Sequence, residues 1–132
     1  MEKPDAGQAS DWLRQAEADF IAAGHSALLG DFHVAVFSYQ QAAEKALKAV
    51  LLAQGKNIKK THDLNAIGRQ TGLPKSMQDG ARWLSNAYIQ SRYGMVEDKI
   101  PAEAFTAKHS AKAAFAAEEL ITWCRKNIAK KK

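Results

Sequence analysis

Residues 30–51 of the sequence read GDFHVAVFSYQQAAEKALKAVL, and they give the clearest indication of the fold class. Its apolar side chains recur at spacings of three and four residues, the period of an α-helix with a buried face; they are Val36, Tyr39, Ala43, Ala46, Leu47 and Val50. The adjoining arc of the same helix is polar and carries Gln40, Gln41, Glu44, Lys45 and Lys48. Phe37, Leu51 and Leu52 interrupt this polar arc, so the helix is predicted to bury more than one side. Such burial is typical of a helix that is central in a bundle or meets a second subunit.

The rest of the chain is also predicted to be helical. Glycines and prolines divide it into long segments with helical periodicity, and no segment alternates as a strand does. The central helix is expected over residues 32–54, with Gly55 as its left-handed C-cap. The other expected helices cover residues 10–29 with Ser10 or Asp11 as the cap, 62–70 with Thr61 as the cap, 75–93, and a long segment from Pro101 onward. Short connections favour an all-α fold, an antiparallel four- to five-helix up-and-down bundle.

The positive charge of the chain is concentrated at its C-terminal end. The 132 residues include 19 Lys or Arg and 14 Asp or Glu, for a formal net charge of +5. Five of the bases lie in residues 125–132, which contain no acid, so residues 1–124 balance 14 bases against 14 acids. We therefore expect electrostatic attraction of a polyanion to come mainly from this tail and from the loop that carries Lys56, Lys59 and Lys60. The predicted organisation is a flexible N-terminus (1–9), one helical domain (10–126) and a basic tail (127–132).

Several classes of protein and of site are not expected. Cys124 is the only cysteine, so no intramolecular disulfide forms, and its apolar neighbours suggest a core residue rather than a nucleophile. The four histidines are isolated from one another, and no catalytic signature of the common hydrolases or phosphate-binding loops occurs, so neither a metal nor a cofactor is expected. No apolar run is long enough for a membrane helix and no secretory signal is evident. A cytoplasmic location is the expectation.

Two clusters in the sequence have both a functional and a structural interpretation. Glu44 and Lys48 are four residues apart in the orientation that favours an ion pair, but such a pair often lies on a solvated helix face. Arg92 and Tyr93 end the predicted fourth helix, where they are suited to holding a phosphate and stacking a base. Equally, Arg92 complements the helix dipole while Tyr93 packs. The residues alone leave both alternatives open.

Residues 30–51 resemble the second helix of the HEPN domain family, with its glutamine, glutamate and lysine pattern. The resemblance continues in residues 12–19, which are similar to the first helix of that family, and in Thr61, His62, Asp63 and Leu64, which resemble the start of its third helix. Arg92 and Tyr93 lie where the family has an Arg-Tyr-Pro-Asp motif. The similarity covers about residues 10–125.

The resemblance implies a helical bundle that is usually a homodimer and binds nucleotides or RNA, often beside a minimal nucleotidyltransferase in a toxin–antitoxin-like pair. It also implies a set of ligand-binding residues, which are Arg92, Tyr93, His62, Asp63, Glu44, Lys45, Lys59 and Lys60. Many members of the family are metal-independent ribonucleases that use an Arg followed after four to six residues by a His. Here that spacing from Arg92 leads to Glu97 and Asp98, so no catalytic residue is assigned and binding without cleavage is the leading hypothesis.

The sequence departs from the Arg-Tyr-Pro-Asp motif of the family after Tyr93. Gly94 replaces the proline of the family motif, and the acid of that motif is displaced to Glu97 or Asp98.

The alternative function is a purely structural dimerisation or protein-interaction module. In that interpretation Phe37, Leu51 and Leu52 contribute to a subunit contact, and Glu44 and Lys45 pair across it. An active ribonuclease is a third, weaker hypothesis.

Overall fold

The structure is a computed structural model, and it describes residues 6–58, 60–92 and 95–130. Six helices account for most of these residues, and the described part of the chain contains no β-strand beyond an isolated bridge between Val96 and Lys99. The helices are α1 (Ala6–Leu28), α2 (Phe32–Ala53), α3 (Leu64–Thr71), α4 (Lys75–Arg92), α5 (Pro101–Ala104) and α6 (Ala107–Lys130). The predicted all-α bundle is confirmed.

Helix α2 is the centre of the bundle, as its sequence predicts. It packs against each of the other five helices, and most of its residues are buried. Contacts of Phe20 with Tyr39 and of Asp19 with Lys45 show that α1 runs antiparallel to α2. The described core also takes side chains from α3, α4 and α6, among them Leu64, Ile67, Leu84, Leu120 and Cys124.

The ends of α2 follow from local chemistry. Gly30 has a φ of 83° in the turn before the helix, and Gly55 has a φ of 74° just after it. At the C-terminal end, Lys56 N donates to Leu51 O at 2.8 Å and Gly55 N donates to Leu52 O at 3.0 Å. This pair of bonds is a Schellman motif, which needs a left-handed residue and so favours glycine. The predicted role of Gly55 is confirmed.

Helix α3 begins two residues later than predicted. Asp63, not Thr61, is its N-cap, because the Asp63 side chain accepts a hydrogen bond from Asn65 N at 3.0 Å. Thr61 Oγ1 instead accepts from Asp63 N at 3.1 Å, just before the helix. The two short polar side chains therefore act in series to fix the entry into α3.

The segment after Pro101 forms two helices where one is predicted. Phe105 adopts an extended conformation with a ψ of 131°, and its side chain is buried in the core. Thr106 directly precedes α6, and its backbone N–H donates to His109 Nδ1 at 3.0 Å, which satisfies one of the free donors near the helix start. Burial of the Phe105 ring outweighs the continuous helix that the Ala-rich sequence favours.

The outer helix ends also differ from the sequence expectation. Helix α1 begins at Ala6, ahead of the predicted caps Ser10 and Asp11. Helix α6 continues to Lys130, so the first part of the predicted basic tail is helical. None of the helices, within the residues that the structure covers, is long and apolar enough to span a membrane.

Candidate functional site

A row of buried polar side chains runs along α2. Gln40, Glu44 and Lys48 lie at successive turns and are only 0%, 4% and 8% exposed. Lys48 Nζ lies 2.9 Å from Glu44 Oε2, so the ion pair predicted from the spacing exists, but it is buried rather than on a solvated face. A buried carboxylate needs a positive partner and hydrogen-bond donors to offset its lost hydration. Lys48 supplies the charge, and Gln40 Nε2 adds a bond of 3.3 Å to Glu44 Oε1.

The buried Glu44 carboxylate holds the ring of His62. Glu44 Oε1 lies 2.7 Å from His62 Nδ1, although the two residues are 18 positions apart in the chain. Because an ionised carboxylate only accepts hydrogen bonds, this contact places the ring proton on Nδ1 and leaves Nε2 as the nitrogen that is not held by Glu44. The Glu44 side chain is 6% exposed, whereas that of His62 is 58% exposed. A buried acid thus fixes the orientation of an exposed imidazole.

The backbone of His62 is anchored separately from its ring. Gln40 Nε2 donates to His62 O at 2.9 Å, and Ser85 Oγ on α4 lies 3.5 Å from the same oxygen. Ser85 Oγ also accepts from Leu64 N at 2.8 Å. The loop before α3 is therefore attached to both α2 and α4. This attachment positions the imidazole without depending on the ring itself.

An aromatic and cationic stack adjoins the His62 ring. Tyr88 lies with its ring centroid 5.4 Å from that of His62 and 5.4 Å from that of Phe37, against which it stacks. Arg92, one turn beyond Tyr88 on α4, places its guanidinium carbon 5.1 Å from the Phe37 centroid and 5.9 Å from the Tyr88 centroid. Arg92 Nη1 also donates to the Tyr88 hydroxyl at 3.2 Å. Tyr88 is 2% exposed, so it connects His62 to Arg92 from below the surface.

A groove of about 550 Å³ opens in front of this cluster, between α4 and the start of α3. Its lining includes hydrogen-bonding and charged groups from both elements; among them are His62, Asp63, Asn65, Arg82, Asn86 and Tyr88. We call it the His62 groove. Arg82 at its rim also pairs with Asp79 at 3.0 Å, on the exposed surface. The groove thus combines an oriented imidazole, amides and a cation, which is a lining suited to a small anionic, polar ligand.

The structure brings together three of the predicted site residues and gives another a structural role. Glu44 and His62 are in contact, and Arg92 reaches them through Tyr88. Asp63 lines the groove, but its carboxylate caps α3. Glu44 therefore orients His62, which lines the groove. Arg92 is exposed one turn beyond Tyr88 and is not among the lining residues.

Other predicted site residues lie elsewhere. Lys45 pairs with Asp19 of α1, on a different side of α2 from Glu44. Lys60 is exposed in the loop before α3 and does not line the groove. Lys59 and Tyr93 lie outside the described residues. Leu51 and Leu52 are 0% and 5% exposed within the single chain, so the subunit contact expected for them from sequence is wrong.

Several residues of the cluster are not identified as site residues by sequence reasoning. The helical periodicity assigns Tyr88 to the apolar stripe of the fourth helix, and Phe37 is interpreted as an interruption of the polar arc of α2 or as part of a subunit contact. Ser85 carries no motif. The available signal is the row Gln40, Glu44 and Lys48, which shares one helix face at intervals of four residues. That row predicts a polar face on α2, but it does not predict which segment of the chain packs against this face. Among the described residues, no group of three or more His, Cys, Asp or Glu side chains is arranged to hold a metal ion.

The comparisons with known proteins agree with this architecture. The model of the HEPN domain family matches residues 9–127. The chain belongs to the HEPN domain family. Two solved structures share its fold over 91% of the chain. The crystal structure of TT1696 from Thermus thermophilus is 28% identical, with a TM-score of 0.83 and 98% of that chain covered. The crystal structure of ST0689, described as an archaeal HEPN homologue, is 30% identical, with a TM-score of 0.80 and 97% of that chain covered.

No curated protein matches the sequence closely enough to add a function. Membership in the HEPN family establishes the helical fold and accounts for the similarity seen in α2 and at the start of α3. The particular site of this HEPN protein is set by its own side chains, because fold alone does not specify function.

Proposed function

We propose that this HEPN protein binds a nucleotide or a short segment of RNA in the His62 groove. The observation that carries the proposal is the coupling of two groups: the exposed imidazole of His62, oriented by Glu44, and the guanidinium of Arg92, held on Tyr88. Phosphate recognition favours a planar guanidinium, and bases stack on imidazole or guanidinium planes. Both types of surface occur on one continuous cluster.

Each group has a distinct role in this proposal. Arg92, which lies beyond Tyr88 and outside the lining of the groove, contacts a phosphate that projects from the groove. The stack on Phe37 and Tyr88 limits the rotamers of its long side chain. His62 contacts the base or the sugar through its Nε2 edge and its exposed ring. Tyr88 is too deeply buried to offer a stacking face, so it serves as the link between the two. Tyr93 remains a further candidate for stacking from the resemblance.

The partners of the protein are proposed on family resemblance. We expect a homodimer that acts with a minimal nucleotidyltransferase in a toxin–antitoxin-like pair, in the cytoplasm. Whether the neighbouring reading frame encodes a nucleotidyltransferase is the first observation to make. If it does, co-expression with an affinity tag on that protein is expected to retain the HEPN protein on the column.

Calorimetric titration tests the ligand proposal. The parent protein, Arg92→Ala and Arg92→Lys are titrated with adenosine nucleotides and with a short single-stranded RNA. We expect Arg92→Ala to weaken binding about tenfold, which corresponds to about 1.4 kcal/mol. Arg92→Lys keeps the charge but loses the planar fork, so an intermediate loss is expected.

Arg14→Ala is the matched control, because Arg14 is an exposed arginine on α1 whose Asp11 contact is 3.4 Å long. Its affinity is expected to equal that of the parent. The site assignment is wrong if Arg92→Ala and Arg14→Ala bind equally well.

A ribonuclease assay in EDTA separates binding from cleavage. The proposal predicts intact RNA, because no Arg-to-His motif is present in the sequence. Tyr88 contacts both His62 and Arg92, so His62→Ala is the informative variant. RNA cleavage that is lost in both His62→Ala and Arg92→Ala would replace the binding proposal with the ribonuclease hypothesis.

A further inference from the structure

The neutral imidazole of His62 has a hydrogen-bond acceptor on the ring edge that points away from Glu44. Glu44 Oε1 lies 2.7 Å from Nδ1, and the Lys48 ammonium lies 2.9 Å from Oε2 of the same carboxylate. An ionised carboxylate only accepts hydrogen bonds, so the ring proton is on Nδ1 and the lone pair is on Nε2. Within the part of the chain that the structure describes, no residue forms a hydrogen bond with Nε2.

Two buried charges fix this tautomer. The side chains of Glu44 and Lys48 are 6% and 10% exposed, and burial of an ion pair adds little stability by itself because both charges lose their hydration. A ring that only stacks on a base needs no fixed lone pair. A fixed lone pair is useful where the ligand places a hydrogen-bond donor opposite Nε2.

The two walls of the His62 groove differ in their hydrogen-bonding groups. Asp63 follows His62 in the lining, and its carboxylate only accepts; Oδ1 already accepts from Asn65 N at 3.0 Å. On the α4 wall, Arg82 only donates, and Ile89, which is 53% exposed, adds apolar surface suited to the plane of a base. A bound ligand is therefore expected to place its donors against the start of α3 and its anionic part nearer α4.

We propose that His62 selects nucleotides whose base carries an exocyclic amino group, which are those of adenine and cytosine. The amino group donates to Nε2. Guanine, hypoxanthine and uracil have a carbonyl at the equivalent position, which would place one acceptor against another. The proposal rests on the proposed function, because it requires a nucleotide in the His62 groove. It narrows that function to a class of base and makes Glu44 the positioning residue for its recognition.

The base, rather than the ribose, explains why the tautomer is fixed. A ribose hydroxyl both donates and accepts, so it would bind Nε2 with or without a proton there. The amino group of adenine or cytosine only donates in a hydrogen bond of this kind, and it therefore distinguishes the two tautomers of the ring. Fixing the proton on Nδ1 thus adds selectivity for the base and none for the sugar.

Calorimetric titration with adenosine monophosphate and inosine monophosphate tests the proposal, because inosine replaces the amino group by a carbonyl. At about pH 8.5, where imidazoles ordinarily carry one proton, the parent is expected to bind the adenosine nucleotide about tenfold more tightly. Purine riboside monophosphate has neither group and is expected to bind with intermediate affinity. His62→Ala is expected to bind all three equally, whereas His25→Ala, at an exposed histidine of α1, is expected to keep the preference.

Glu44→Gln is expected to reverse the preference. The Lys48 ammonium only donates, so the new amide turns its oxygen toward Lys48 and its NH₂ group toward His62 Nδ1. Nδ1 then accepts, the ring proton moves to Nε2, and the inosine carbonyl becomes the better partner. If Glu44 only stabilised the fold, the substitution would weaken both nucleotides equally. Circular dichroism checks that the variant is folded, and the His62→Ala titration decides the proposal if it is not.

Nitrogen NMR of the histidine ring, recorded without a ligand, measures the tautomer directly. The proton is expected on Nδ1 in the parent and on Nε2 in Glu44→Gln, and a proton on Nε2 in the parent would overturn the proposal. Equal affinity of the parent for the adenosine and inosine nucleotides, or a preference for inosine, would overturn the base selection and leave the ligand site in place. Absence of binding to every nucleotide would overturn the proposed function, and the base selection with it.

Discussion

Glu44 Oε1 and His62 Nδ1 lie 2.7 Å apart, joining the middle of α2 to the loop that precedes α3. The contact links a side chain that is almost completely buried to one that is mostly exposed. Through it, the buried charge network of α2 fixes the orientation of the imidazole that lines the His62 groove. The stability of the fold and the geometry of the His62 groove therefore depend on the same carboxylate.

Removal of the Glu44 carboxylate is expected to destabilise the protein. Glu44→Ala leaves the Lys48 ammonium buried without its partner, and uncompensated buried charges cost about 3–5 kcal/mol. Urea unfolding followed by circular dichroism measures the loss. Glu103→Ala, at an exposed position of α5, is the control and is expected to change the free energy of unfolding by about 0.5 kcal/mol or less. A loss below about 1 kcal/mol for Glu44→Ala would contradict the buried-pair account.

Truncation of His62 is expected to affect the ligand more than the fold. His62→Ala removes the ring but keeps the carbonyl that accepts from Gln40, so the loop stays attached. We expect about a tenfold loss of nucleotide affinity, or about 1.4 kcal/mol. The expected loss of stability is smaller, about 1 kcal/mol, because Glu44 loses one donor but keeps Lys48 and Gln40. His25→Ala, at an exposed histidine of α1, is expected to leave affinity unchanged. Equal affinities in the two variants would remove His62 from the site.

The basic C-terminal end is expected to set the salt dependence of RNA binding. Replacing Lys130, Lys131 and Lys132 with Gln removes three positive charges that release counterions from single-stranded RNA. The slope of log K against log salt is expected to fall by about 0.7 for each phosphate that the protein no longer neutralises. Preference among RNA sequences is expected to persist, because Arg92 and His62 are unchanged. Loss of that preference together with the slope would show that charge alone drives binding.

Substitution by alanine is expected to change the stability of the fold in opposite directions at Gly72 and Gly80. Gly72 is the left-handed C-cap of α3 with a φ of 89°, so Gly72→Ala is expected to destabilise the fold by about 1 kcal/mol. Gly80 lies within α4, and a Cβ there would meet Ala116 Cβ at an ordinary 3.7 Å. Gly80→Ala is therefore expected to stabilise the fold by up to about 1 kcal/mol. Thermal unfolding of both variants checks the pair, and a shift of the same sign in both would contradict it.

The single cysteine is expected to be inert in the folded protein. Burial raises the pKa of the Cys124 thiol far above its usual range, so native protein is expected to react with a thiol reagent only through unfolding. In the unfolded chain the thiol ionises at its ordinary pKa. Above about pH 8.5 the thiol ionises in the unfolded chain but not in the folded one, which favours unfolding. The free energy of unfolding is therefore unaffected by this group below about pH 8.5 and falls as the pH rises above that value.

Urea titrations at pH 7 and pH 10 measure that loss, with Cys124→Ala as the control. The variant is expected to lose less stability over the interval, since it lacks the thiol. Rapid labelling of the native parent would show instead that Cys124 is accessible.

Local signals in the sequence were sufficient for the helices whose ends depend on nearby residues. Gly55 ends α2 because the Schellman motif involves only the last turn and the two following residues. The start of α3 is harder, since Thr61 and Asp63 are both good caps and the choice depends on the burial of Leu64 in the core. The interruption at Phe105 depends likewise on a distant contact, because the ring is buried against other helices.

The candidate site was only partly predictable for the same reason. The spacing of Glu44 and Lys48 predicts their ion pair, since both lie on one helix. The spacing cannot show that the His62 loop packs against this pair, because His62 is 18 residues from Glu44 in the sequence. Tyr88 has no distinguishing signal, as an aromatic on the inner face of α4 is typical of a core.

Periodicity and caps are encoded within a few helical turns, so the all-α class, the central place of α2 and the resemblance to the HEPN family could all be predicted from the sequence. Burial of the polar face of α2, and the contact by which Glu44 orients His62 in its groove, are visible only in the folded chain. The folded chain also shows that Lys45 turns to Asp19 and not to that groove. The physical reason is that burial and charge pairing depend on which segments of a chain meet in space. Contacts between distant segments cannot be predicted from the residues that are neighbours in the sequence.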